Sequence, residues 1–276
     1  MSPQWRDEIG IYLAPHKLAL TRLARGVKPK SVGEASWSNE LVEDTHWSAT
    51  LSALDALLAK SEWQKAVARV VISDQWVRYA MVPYSAALSG DAERMTHARH
   101  VLTGVYGEVA SQWNVTLSDN PPGTAQVACA LPATLLEELQ IILTRHQIPL
   151  KSLQPQLVSA HNHWRDKLPD GGVWFVSIEQ GSLSAARLAP GGWDRVHSVR
   201  IGADWTVELR RLQTFGRLAK NGVHGGHAQQ GGVYVDAPAA LRMAGGATSA
   251  DLIWLDEDTA GESTAGRLEF LRRHHA

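Results

Sequence analysis

Two stretches of this chain, Ile9 to Leu23 (IGIYLAPHKLALTRL) and Trp174 to Leu188 (WFVSIEQGSLSAARL), can be laid over one another without a gap. The overlay matches Leu18 with Leu183, Arg22 with Arg187 and Leu23 with Leu188. Two unrelated hairpins can share as much. The common order of strand, polar turn and strand favours a repeated supersecondary unit, and hence two similar lobes.

The chain between the repeats alternates strand and helix patterns. Ile9 to Leu13 and Leu18 to Ala24 form the first hairpin around Ala14, Pro15, His16 and Lys17, and a third strand follows near Val32 to Trp37. Leu51, Leu54, Leu57 and Leu58 recur at helical spacing, with Ser48 as the expected cap. Val67 to Ile72 and Trp76 to Val82 read as β, joined by Ser73, Asp74 and Gln75. A helix over Ala92 to Gln112 and two strands, Trp113 to Leu117 and Gln126 to Leu131, come next. The clearest helix, Ala133 to His146, opens after Pro132 and aligns Leu135, Leu136, Leu139, Ile142 and Leu143. A short strand, Ile148 to Leu153, leads to a helix from Gln156 to about Lys167.

Gly171 and Gly172 then break the chain ahead of the second hairpin. A third strand over Val196 to Ile201 and a helix from Asp204 to Leu218 follow, with Val207, Leu209, Leu212 and Phe215 as apolar contacts. The glycine-rich stretch Lys220 to Gly232 is expected to be a mobile loop. Two short strands, Val233 to Asp236 and Leu252 to Leu255, and a basic helix, Ser263 to His275, complete the reading.

Composition narrows the function classes. At 276 residues, 44% hydrophobic and 20% charged, the chain is a globular protein able to bury a large core. A net charge of -1 gives no bulk attraction to nucleic acid or anionic lipid. The single cysteine, Cys129, cannot form an internal disulfide and sits in an apolar run. No signal-peptide pattern opens the sequence, and no apolar run approaches the roughly eighteen residues of a membrane span, so a cytoplasmic location is expected. The eleven tryptophans are scattered from Trp5 to Trp254, as core or rim residues would be.

Strand hairpin, third strand and alternating helices, given twice, resemble the actin-like (ribonuclease-H-like) ATPase fold. The run Leu131 to Asn162 resembles the pattern of the type IV pilus assembly protein PilM. Val70 to Ser85 is similar to the strand pair before the long helix of PilM and of the cytoplasmic part of the type II secretion protein GspL, and Ile201 to Leu212 to the strand-to-helix step after the second hairpin. The resemblance implies an α/β, two-lobed fold with mixed sheets flanked by helices. The first lobe would be 1–168, with a strand-and-helix insert around 33–112, and the second 169–276.

Active members of that fold carry Asp-x-Gly at the end of each hairpin's first strand. The glycine admits a phosphate, and the aspartate holds hydrated magnesium or orients water. Aligned here, Tyr12 and Ala14 occupy those positions in the first hairpin, and Ser177 and Glu179 in the second. Both carboxylates are missing, and Glu179 brings negative charge toward a phosphate's place. Ala19 replaces a polar residue of the second strand, and Tyr234 to Pro238 with Gly245 and Gly246 make a poor adenine-side loop. The expectation is a degenerate ATPase with no catalytic residue, nucleotide cofactor or metal. The alternative is an active nucleotide-dependent phosphotransferase or ATPase of the same superfamily.

Other constellations have two readings. His161 with His163, and His224 with His227, are possible metal ligands, but neither pair has the spacing or neighbours of a site. Arg94, His97, Arg99 and His100 make either a solvated helix face or a basic docking surface. No nucleophile elbow or dinucleotide-binding glycine pattern is present. By resemblance, the partner is the cytosolic tail of an inner-membrane pilus or secretion component, placing the chain at that membrane without inserting into it. Trp76, Tyr79 and Tyr84 are then candidate anchors, with burial in the core as the competing reading.

Overall fold

The computed structural model describes residues 6–24, 30–39, 45–88, 90–202, 205–218, 232–238, 241 and 252–255. The glycine-rich stretch before Gly232, the pair Gly245 and Gly246, and the basic segment Ser263 to His275 lie outside the described residues. In chain order the strands are β1 (Asp7–Ala14), β2 (Lys17–Ala24), β3 (Lys30–Ser38), β4 (Ala66–Ile72), β5 (Arg78–Val82), β6 (Trp113–Leu117), β7 (Gln126–Pro132), β8 (Leu150–Pro155), β9 (Trp174–Glu179), β10 (Ser182–Ala189), β11 (Gly192–Arg200), β12 (Val233–Asp236) and β13 (Leu252–Trp254). The helices are α1 (Ser48–Leu58), α2 (Asp91–Tyr106), α3 (Ala133–Arg145), α4 (Gln156–Trp164) and α5 (Thr206–Leu218).

Two compact units share these elements. The first takes the chain up to Val77 and Leu131–Ser159; the second takes Arg78–Ala130 and Ala160–Asp258. In the first unit a five-stranded sheet has the order β3-β2-β1-β4-β8, and in the second the order is β11-β10-β9-β12-β13. These are one topology given twice. In both, the first two strands pair antiparallel and the first and fourth pair parallel.

The repetition reaches single residues. The gapless overlay of the two hairpins places β2 on β10 and each two-residue turn, Pro15–His16 and Gln180–Gly181, on the other. Both third strands carry a bulge at the same step of the hairpin. Val32 is passed over between Arg22 and Leu23, and Asp194 between Arg187 and Leu188. The extra residue bends an outer strand and increases its twist.

Burial explains the strand patterns. β1 and β9 are central strands, so apolar residues run almost without interruption along them, as strands covered on both faces require. β3, at an edge, alternates exposed and half-buried positions. In the second unit Trp174, Val176, Ile178, Leu183, Val233 and Val235 pack with Trp205, Leu209 and Leu212. A separate three-stranded sheet, β5-β7-β6, carries α2 on one face, where Ala98 and Leu102 meet Ala80, Val82, Val115, Ala128 and Ala130. In α3, Leu135, Leu139, Ile142 and Leu143 are buried, each contributing about 1.5–3 kcal/mol.

Several expectations are corrected. The residue capping α1 is Trp47, and Ser48 is its first helical residue. The helix expected over Ala92 to Gln112 ends at Tyr106, because Gly107 takes φ +80° and the next five residues form a 3-10 turn. The strand after α3 runs Leu150–Pro155, later than expected. Val207 is exposed, whereas Leu209 and Leu212 are buried, so α5 turns a narrower apolar stripe inward than four contacts implied. The two strands read over Val67 to Val82 do not pair with each other. β4 has both edges taken, by β1 and β8, and β5 pairs with β7.

Candidate functional site

The first hairpin turn is bound up from several sides. Pro15 begins it, suited by its fixed φ and lacking an N–H to offer a ligand. The carbonyls around it are occupied. Thr50 Oγ1, at the start of α1, donates to the oxygens of Ala14 (2.9 Å) and Pro15 (3.2 Å). Ser73 N–H donates to Leu13 O at 2.7 Å, and Asn39 N–H to His16 O at 3.0 Å. The sequence contains both Pro15 and Thr50, but only the fold shows that a helix start closes over the turn.

Beside the turn, Tyr12 (5% exposed) forms a small apolar cluster with Ala14, Ala19 and Val71. Tyr12 faces Ala19 across β2 and Val71 across β4. The position aligned with the metal-directing aspartate therefore holds a buried aromatic ring among methyl groups. A carboxylate placed there would be taken out of water.

The equivalent row of the second unit is polar. Ser177 faces Ser184 on β10 and Asp236 on β12, and Ser184 faces Ser198. The spacing from Tyr12 to Val71 equals that from Ser177 to Asp236. Ser184 and Ser198 hydroxyls are 2.9 Å apart. Glu179, 2% exposed, accepts the Ser182 hydroxyl at 2.8 Å, so its carboxylate is held back onto its own hairpin.

Asp74 lies just after β4 and is buried. Its carboxylate accepts the backbone N–H of Leu157 (3.0 Å to Oδ2), placing negative charge at the start of α4. Farther along α4, His161 packs edge-on against Phe175 (5.8 Å) and Trp193 (5.1 Å). Burial, reinforced by Arg165 and opposed by a hydrogen bond with Asn162, lowers its pKa to about 4. His161 is thus a packing residue, neutral near pH 7.

The candidate anchors separate. Trp76 is 6% exposed and donates its indole N–H to Thr45 O at 2.6 Å. Tyr79 is 5% exposed, with its carbonyl accepting the Tyr106 hydroxyl at 2.9 Å. Tyr84, just beyond β5, is 54% exposed. Of the four basic residues along α2, Arg94 pairs with Asp91 and Arg99 donates to Trp113 O. Among the described residues no group of three or more metal-ligating side chains occurs, and no helix is long and apolar enough to cross a membrane.

No protein-family model matches the chain, and no curated protein matches it. Solved structures do. The cytoplasmic domain of EpsL, an inner-membrane component of the type II secretion system of Vibrio cholerae, is 8% identical, with a TM-score of 0.58 over 98% of this chain and 95% of that one. A PilM–PilN type IV pilus biogenesis complex matches at 13% identity and a TM-score of 0.59, over 90% and 88%. A Bacteroides thetaiotaomicron protein with actin-like ATPase fold and unknown function matches at 8% identity and a TM-score of 0.61, over 98% and 96%.

Proposed function

Given an actin-like ATPase fold of the form seen in PilM and the cytoplasmic domain of EpsL, we propose that this chain is a non-catalytic scaffold. It binds the cytoplasmic segment of an inner-membrane partner in a pilus or type II secretion-type assembly. The observation that carries the non-catalytic part is the Tyr12 cluster. An aromatic ring and three small apolar side chains fill the position where this fold's enzymes place a carboxylate. Pro15 withdraws an N–H from the same turn, and Thr50 occupies its carbonyls. On the second hairpin Glu179, buried and held by the Ser182 hydroxyl, takes the place of the glycine that admits a phosphate.

The assembly role is supported by the likeness to two structures whose names place them in such machines. Tyr84 is the exposed aromatic of the three candidate anchors and is the one available to a partner's apolar side chain.

Calorimetric titration with ATP and ADP, with and without magnesium, tests the first part. No heat of binding at millimolar nucleotide is expected, and micromolar affinity or turnover overturns it. Immobilised cytosolic segments of the membrane components encoded beside the gene test the second part. One segment should be retained, with Tyr84→Ala weakening it about tenfold. Retention of none overturns the partner reading.

A further inference from the structure

In the second five-stranded sheet a polar residue, Ser177, stands where the first has Tyr12, and its buried hydroxyl is unsatisfied among the described residues. Ser177 is 2% exposed, and its hydroxyl has no hydrogen-bond partner among the described residues. Buried polar atoms are seldom left so, and each one needs an explanation. Directly beside it, on the parallel neighbour β12 and on the same face, stands Asp236. Residues so paired lie about 5 Å apart. Asp236 is half-buried and ends its strand, and among the described residues no side chain pairs with its carboxylate. The other two members of the row, Ser184 and Ser198, satisfy each other.

The chemistry selects the ligand class. A carboxylate with no basic side chain in its row repels a phosphate. Two such groups on a flat sheet supply too few oxygens to enclose a calcium or magnesium ion, and no third acidic or imidazole ligand joins them among the described residues. An ammonium or guanidinium group fits: it donates several hydrogen bonds, accepts none, and brings the charge that Asp236 lacks. Cytosolic segments adjoining membrane helices are rich in lysine and arginine.

We propose that Asp236 and Ser177 form an acceptor site for a lysine or arginine side chain of the bound partner segment, Asp236 as the half-buried carboxylate and Ser177 as the hydroxyl beside it. The proposal rests on the reading that the partner is such a segment.

The test titrates the full chain with the retained cytosolic segment and, separately, with arginine amide. Asp236→Asn should weaken both by roughly tenfold, while Asp236→Glu retains most of the affinity. Ser177→Ala should weaken both less, and its thermal midpoint, unchanged or raised, reports that the variant folds. Replacing the segment's lysines and arginines with glutamine should reproduce the loss in the wild-type chain and add nothing to Asp236→Asn. If the segment binds Asp236→Asn as tightly as wild type, the acceptor site is wrong and the partner reading stands. If no segment binds, the partner reading fails, and arginine amide decides the site alone: binding sensitive to Asp236 supports it, and indifference to Asp236 overturns it.

Discussion

At the scale of single residues, the burial of Tyr12 makes a sharp prediction. Tyr12→Asp would bury the aligned carboxylate against the apolar side chains of Ala14, Ala19 and Val71. The cost is about 3 kcal/mol or more, read as a lower denaturant midpoint, with no nucleotide binding gained. His161 gives a pH dependence whose sign follows from its environment. Its folded pKa, about 4, lies below its ordinary value near 6.5, so between those limits the unfolded chain binds the extra proton. This contribution to stability is intact above pH 6.5, falls as pH drops toward 4, and levels off below. Urea midpoints at pH 7 and pH 4.5 should therefore diverge more for the wild type than for His161→Phe. Tyr12, Ala14, Ser177 and Glu179 were all legible from the gapless overlay, because side-chain identity at a hairpin turn is local information. The burial of Trp76 and Tyr79 was not, since an aromatic in a strand reads alike whether its sheet face is covered or open.

At the scale of elements, α3 ends in a Schellman arrangement without its usual glycine. Ile148 N–H donates to Leu143 O at 2.9 Å and Gln147 N–H to Thr144 O at 3.0 Å, with Gln147 at φ 58°. An L-residue in that conformation costs roughly 1–2 kcal/mol, so Gln147→Gly should raise the denaturant midpoint by about 1 kcal/mol of stability. The opposite change is expected at the β10–β11 turn. Gly191 has φ +85°, and a Cβ there would stand 3.4 Å from the Thr124 methyl, so Gly191→Ala should lower stability by about 1–2 kcal/mol. Periodicity and turn residues made most element types readable from sequence. The separation of β4 and β5 into different sheets was not readable: Asp74, Gln75 and Trp76 look like a hairpin connection, but pairing is decided by β1, β8 and β7, which are distant in sequence.

At the scale of the whole molecule, the two units share one topology but differ in the row beside the hairpin turn, apolar around Tyr12 and polar around Ser177. Because a ligand stabilises only the state it binds, thermal midpoints can sort the candidates. Saturating Mg-ATP should leave the midpoint unmoved, whereas a true partner segment at a hundredfold its Kd should add about 2.7 kcal/mol.

The bulges at Val32 and Asp194 bear on how the protein behaves in a crowded solution. An unbroken outer strand is a template on which another chain can lay itself down, and a kink in the ladder spoils the fit for such a newcomer. Both third strands carry that kink at the same step of the repeat, so growth by sheet extension is discouraged at two corresponding rims.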